Sequence, residues 1–147
     1  YKYHHIYQGN NSRVDELQAA FLAAKLPSLD EVNGFRRSVA AKYLAGIKND
    51  KVILPYVNPD TEPVWHIFAL RCKDRAALEK HLNDQGIGTN KHYPIPMHMQ
   101  GCYADMGIKE GSLPIAEEIS ATELSIPMYY GMTDEEIQYV IDAINAF

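Results

Sequence analysis

Val64-Trp65-His66-Ile67-Phe68-Ala69-Leu70-Arg71 is the stretch on which the fold turns. Apolar side chains occupy both alternating sets of positions, so neither face of this segment suits water. Its length and its flanks, Pro63 before and Lys73-Asp74 after, predict a β-strand, and burial on both faces predicts a central one. His66 within it reads as a packed, hydrogen-bonded strand residue. Directly afterwards Asp74 caps a helix carrying Leu78, His81 and Leu82, and Gly86 stops that helix.

Working outward toward the C-terminus, Ile87-Gly88-Thr89 starts a second strand that runs into His92-Tyr93-Pro94-Ile95-Pro96-Met97-His98. Proline fixes φ and lacks an N–H, so this run should be extended and poorly hydrogen-bonded to neighbours. Two readings stand: a Pro-rich turn with incidental polar residues, or a rigid segment carrying binding side chains. After a turn near Gly107 and Gly111, Pro114 to Ser120 suggests a short helix. Leu124-Ser125-Ile126-Pro127-Met128 follows as a short strand, placed at an edge by Pro127. Thr133 and Glu136 form a capping box, and Ile137, Val140, Ile141 and Ile144 line the last helix.

Toward the N-terminus, Pro55, Pro59 and Pro63 mark residues 49–63 as a wandering connection. Before it, Leu29, Val32, Val39, Tyr43 and Ile47 recur at helical spacing, which predicts a long helix from about Leu29 to Ile47. Asn33 and Arg36 fall at the margin of that stripe, as surface residues. A preceding helix, capped by Ser12 with Asp15 as the capping-box acid, carries Val14, Leu17, Phe21 and Ala24 on one side. Pro27 and Ser28 separate the two helices. The order helix, long helix, strand, helix, strand, short helix, strand, helix is that of an α+β layer, a small sheet covered by helices on one face.

Composition sets outer bounds. The 147 residues suit one domain, and 46% hydrophobic with 22% charged content is that of an ordinary globular chain. A net charge of −5 without any block of like charge argues against nucleic acid or an anionic membrane as partner. No apolar run is long enough to span a bilayer, and no signal peptide is visible, so a cytoplasmic location with reduced Cys72 and Cys102 is expected. The chain opens on Tyr1-Lys2-Tyr3-His4-His5 without a methionine, and its ten tyrosines are many for this length; both suggest a fragment of something larger with a partner surface. His4, His5, His92 and His98 lack the spacing of a zinc site, so no metal is expected.

Gly9-Asn10-Asn11-Ser12-Arg13 lies where a loop becomes a helix N-terminus. Free N–H groups and the helix dipole there favour an anion, with Asn11 and Arg13 as added donors. An ordinary cap followed by a solvated arginine accounts for the same residues.

Three runs together resemble the PLP-dependent sugar aminotransferases of the DegT/DnrJ/EryC1/StrS family. The first is Gly9-x-Asn11-x-Arg13-x-Asp15-Glu16-x-Gln18-Ala19-Ala20, continued by Lys25-Leu26, Leu29-Asp30 and Asn33-x-x-Arg36. The second is Gly86-Ile87-x-Thr89-x-x-His92-Tyr93-Pro94-x-Pro96-x-His98-x-Gln100-x-x-Tyr103, and the third runs from Glu123 to Thr133. The likeness covers residues 1–147 as the C-terminal small domain of a fold-type I enzyme. It implies a small, mostly antiparallel sheet covered by helices and preceded by a long helix pair. Lys2-Tyr3-His4 and Tyr129-Tyr130-Gly131 look closest to the branch that makes dTDP-3-amino-3,6-dideoxyhexoses.

The resemblance further implies a homodimer with shared active sites. Asn11 would reach the phosphate of pyridoxal 5′-phosphate (PLP) held by the neighbouring subunit, and Arg13 would support it electrostatically. His92 and Tyr93 would position the dTDP-sugar; His98, Gln100 and Tyr103 match family positions in either a structural or a substrate-contacting role. The Schiff-base lysine and the acid that partners the pyridine nitrogen belong to the family's N-terminal domain, so no catalytic residue is expected in this chain. Lys91 lies outside the lysine motif and reads as a solvated neighbour of His92. The implied reaction converts a dTDP-linked keto-6-deoxysugar to an amino sugar, with glutamate as donor. A PLP/PMP-dependent sugar dehydratase of the same family, or a non-catalytic dimerisation or binding module, are the alternatives.

Overall fold

Phe68, Leu70 and Cys72 are buried while Ala69 and Arg71 between them are only half so, which gives the central strand a core face and a second, thinner-covered face. The computed structural model describes residues 2–10 and 13–147. In it three antiparallel strands, β1 (Val52–Ile53), β2 (Phe68–Cys72) and β3 (Glu123–Ile126), form one sheet in the order β1-β2-β3. Val52 pairs with Cys72, and Phe68 pairs with Ile126, so the expected central strand is central and the strand before Pro127 lies on its flank.

The helices are α1 (Glu16–Lys25), α2 (Leu29–Gly46), α3 (Arg75–Asp84), α4 (Pro114–Thr122) and α5 (Asp134–Asn145). Their starts follow local chemistry. Asp15 accepts from the Gln18 N–H, Asp74 from the Ala77 N–H, and Thr133 and Glu136 bond each other's backbone in a full capping box. Gly86, at φ +75°, ends the α3 region in a conformation that a side chain would strain.

One core joins α2, α3 and α5 to the sheet. Val39 and Tyr43 of α2, Leu78 and Leu82 of α3, and Ile137 and Ile144 of α5 meet Phe68, Leu70 and Leu124. The approach of α2 to α5 is close: a Cβ on Gly46 would stand 2.8 Å from Cδ1 of Ile141. Residues alternate faces along a strand, so Arg71 points away from this core. There its guanidinium meets Glu118 of α4 at 3.0 Å, giving the sheet a second cover that the hydrophobic pattern does not foretell.

Several expectations give way. The strand begins at Phe68, not Val64, because Trp65 takes φ +51° and residues 66–67 bend; His66 is exposed rather than packed in the strand. Ile87-Gly88-Thr89 is no strand; pairing is confined to one bridge between Asn90 and Ser125. The connection 49–63 contains β1. Arg36 is half-buried, not a surface residue: its Nη1 donates to the carbonyls of Trp65 (3.1 Å), His66 (2.9 Å) and Met128 (3.0 Å). The Ser12 cap lies outside the described residues, and α1 starts at Glu16 behind Asp15. None of the residues of α1 is buried, so the stripe of Leu17 and Phe21 faces no core in this chain.

Candidate functional site

The His92 segment is held against the outer edge of β3. Asn90 exchanges both backbone hydrogen bonds with Ser125, at 3.1 and 2.8 Å, and two residues later the chain turns inward at His92. Glu123 and Ser125, two apart on a strand, present their side chains to the same side. Both reach His92. The Glu123 carboxylate accepts from the His92 N–H at 2.7 Å and also from the Ser125 hydroxyl. Ser125 Oγ lies 2.9 Å from His92 Nδ1, and Asn90 Nδ2 lies 3.0 Å from His92 Nε2. Both ring nitrogens of His92 are thus engaged by the protein. The peptide bond from His92 to Tyr93 is cis.

Tyr93, by contrast, is exposed, and its ring packs edge-on against Tyr3 (5.4 Å between centroids) and His92 (5.5 Å). The N-terminal segment is strapped over this face by Gln100. Its buried side chain accepts from the His5 N–H at 3.0 Å and donates to the carbonyls of Tyr3 and Ile95. The Cys102 N–H donates to the His5 carbonyl at 2.8 Å, which closes the strap. The Lys2 ammonium and the Asn90 amide both bond the Tyr3 hydroxyl and hold it below the usual phenol value.

Between strap and α4 lies a cavity of about 780 Å³, bordered by Tyr3, His92, Tyr93, His98, Leu113 and Ile119 among others. That volume is within the range of small-molecule sites. His98 is buried at its wall, with Nε2 2.9 Å from the Glu117 carboxylate. Glu117 in turn accepts from the Gly111 N–H (2.8 Å) and the Leu113 N–H (3.1 Å). Those backbone donors, with His98 after them, hold the Glu117 carboxyl below its ordinary value.

Of the residues expected from sequence, His92, Tyr93 and His98 therefore converge on one cavity. Gln100 serves the strap, while Tyr103 lies half-buried in the 3₁₀ turn that follows. Arg13 stands apart, exposed ahead of α1, and Asn11 lies outside the described residues. Lys91 is not simply solvated: its ammonium pairs with Glu79 at 2.6 Å. Sequence reasoning passed over Tyr3, Asn90, Glu123 and Ser125. One signal was available, since Glu123 and Ser125 alternate with Leu124 and Ile126 and so put two polar groups on one face of a short apolar strand.

Known proteins resemble this chain both in sequence and in structure. The sequence model of the DegT/DnrJ/EryC1/StrS aminotransferase family matches residues 1–145. The dTDP-3-amino-3,6-dideoxy-alpha-D-galactopyranose transaminase of Aneurinibacillus thermoaerophilus is 44% identical over 146 residues, 99% of this chain and 40% of that protein. The dTDP-3-amino-3,4,6-trideoxy-alpha-D-glucose transaminase of Streptomyces venezuelae is 44% identical over 144 residues, 97% of this chain and 38% of that protein. Among solved structures, DesV of S. venezuelae in complex with a ketimine intermediate superposes with a TM-score of 0.87 at 43% identity, covering 99% of this chain and 40% of that one. A DegT DnrJ EryC1 StrS aminotransferase from Brucella abortus gives 0.83 at 28% identity, over 100% of this chain and 39% of that one. The chain thus spans about 40% of the length of these relatives, and the match falls in their C-terminal region.

Proposed function

Because this chain belongs to the DegT/DnrJ/EryC1/StrS aminotransferase family, we propose that it forms the C-terminal domain of a PLP-dependent enzyme that aminates a dTDP-linked keto-6-deoxysugar. The observation that carries this reading is the 44% identity, over 99% of the chain, to a transaminase named for a dTDP-3-amino-3,6-dideoxyhexose. The dehydratase alternative has no such support, since both relatives at that identity are named transaminases. The whole enzyme would act in the cytoplasm as a homodimer, with glutamate as amino donor.

The described residues suit the edge of the cofactor rather than its ring. Arg13, exposed ahead of α1, offers a cation for a phosphate, with Asn11 as its proposed companion. Lys91, next to His92, is tied to Glu79 and is no candidate to hold the cofactor covalently. When bound, PLP supplies the electron sink that exchange of an amino group requires. This chain's own contribution is recognition. Tyr93 offers an exposed, rigid aromatic face and a hydroxyl to the sugar nucleotide, His92 fixes the backbone from which it projects, and His98 shapes the cavity wall.

The lysine that carries the cofactor then lies in the part of the relatives that this chain does not span. The test is direct: incubate the 147-residue chain with PLP, reduce with borohydride and digest for mass spectrometry. No lysine should be labelled preferentially, and no visible band should persist after dialysis. Stoichiometric labelling of one lysine, with a stable band, would overturn the assignment.

A further inference from the structure

The hydrogen bonds around His92 determine where its proton sits. Asn90 Oδ1 accepts the Lys91 backbone N–H at 2.9 Å, and a backbone N–H can only donate, so the Asn90 amide cannot be turned the other way. Its Nδ2 therefore faces His92 Nε2, at 3.0 Å, with a hydrogen, and Nε2 must accept. Nδ1 then carries the imidazole proton and donates to Ser125 Oγ at 2.9 Å. The single hydroxyl proton of Ser125 goes on to the Glu123 carboxylate, whose other oxygen takes the His92 N–H. Glu123 and Ser125 are 3% and 5% exposed, so water does not stand in for either partner.

We propose that Glu123 and Ser125 are positioning residues that lock His92 in its Nδ1–H form, with Nε2 left as an acceptor. The inference rests on the reading of the adjoining cavity as the sugar-nucleotide site. It deepens that reading by selecting which part of a ligand His92 accepts. A ligand group that takes the place of Asn90 at Nε2 has to donate, as a sugar hydroxyl or an imide N–H does. A fully ionised phosphate oxygen, which only accepts, finds no hydrogen at Nε2 of the neutral ring. A histidine kept this way contributes selection by hydrogen-bond direction rather than by charge. The arrangement is of the kind that fixes the ring orientation and tautomer of functional histidines through the nitrogen turned away from the ligand.

Long-range ¹H–¹⁵N correlation spectra of the histidine rings test the lock, with His92 assigned by its absence in His92→Asn. The wild-type chain at neutral pH should show a pyrrole-type Nδ1 and a pyridine-type Nε2. Asn90→Ala, which removes the donor at Nε2, should leave the wild-type pattern in place; adding Ser125→Ala to it should shift His92 toward the Nε2–H form, whereas adding Ser125→Thr, which keeps the hydroxyl, should not. A wild-type His92 in the Nε2–H form, or an Asn90→Ala/Ser125→Ala spectrum identical to wild type, would overturn the proposal. Selection is tested with two probes. dTDP-glucose should move the Nε2 resonance and inorganic pyrophosphate should leave it in place; pyrophosphate moving it would overturn the selection. If dTDP-glucose moves nothing while the Asn90 and Ser125 variants behave as stated, the lock stands and the sugar-nucleotide reading falls.

Discussion

Arg36 joins three segments that are far apart in sequence. The two protons of its Nη1 serve three carbonyls, so at least one bond is shared, and the acceptors are two successive residues ahead of β2 and one in the segment after Pro127. Trp65 is the residue most in need of this, a bulky side chain at φ +51° whose ring stacks on Phe68. Replacing Arg36 by methionine keeps the aliphatic stem and strands the carbonyls. Hydrogen bonds to charged groups are worth about 1.5–3 kcal/mol, so Arg36→Met should destabilise by about 2–3 kcal/mol in urea unfolding. A loss within about 0.5 kcal/mol of zero would mean that water replaces the guanidinium freely. Nothing local to Arg36 forecasts this role. A cation at the margin of an apolar stripe ordinarily stays in water, and its partners lie 29 to 92 positions away. His92 and Tyr93 were legible because prolines and titratable groups crowd within a few residues; Glu123 and Ser125, which hold His92 from across a strand edge, stand 31 and 33 positions further on, where no local pattern ties them to it.

Among the elements, those written into short windows are found where the sequence puts them. The capping box of α5 needs only Thr133 and Glu136, and the bounds of α2, α3 and α4 follow from neighbouring caps, prolines and apolar spacing. The short strands are the opposite case. β1 is two residues long and exists through pairing with β2, and residues 87–89 have no sustained partner, so their apolar composition misleads. The α4 region also carries a titration. Glu117 binds the Gly111 and Leu113 amides and His98 as a carboxylate, and its folded value is depressed below the ordinary 4.5. A depressed acid contributes its stabilisation above its unfolded value and loses it as pH falls through the folded one. The Gly111 and Leu113 amide resonances should therefore hold steady from neutrality down to about pH 4.5 and then move, with a midpoint below the 4.5 of a free glutamate. In Glu117→Gln that step should vanish. A wild-type midpoint at or above 4.5 would contradict the geometry.

Across the whole molecule, the core of α2, α3, α5 and the sheet is complete, whereas α1 and the residue that caps its C-terminus lay out Leu17, Phe21, Leu22 and Leu26 at 58–66% exposure. An apolar helix stripe with no core beneath it is unusual for a chain standing by itself. It accords with the proposed place of this chain within a larger, dimeric enzyme. Exposed side chains contribute little to folding, so Leu17→Gln with Phe21→Gln should change the unfolding free energy by less than about 0.5 kcal/mol while reducing self-association in sedimentation runs. A large destabilisation would show that the stripe packs on this chain after all.

The central claim, that the cavity under Tyr3 and Tyr93 receives the sugar nucleotide, is tested most directly by titrating the ¹⁵N-labelled chain with dTDP-glucose and mapping amide shifts. The largest changes should fall at Tyr3, Tyr93 and the turn around His98, with Tyr93→Ala weakening binding by about tenfold, the loss of one aromatic contact. Shifts confined to the far surface around Asp50 and Lys73, or none at millimolar ligand, would contradict it.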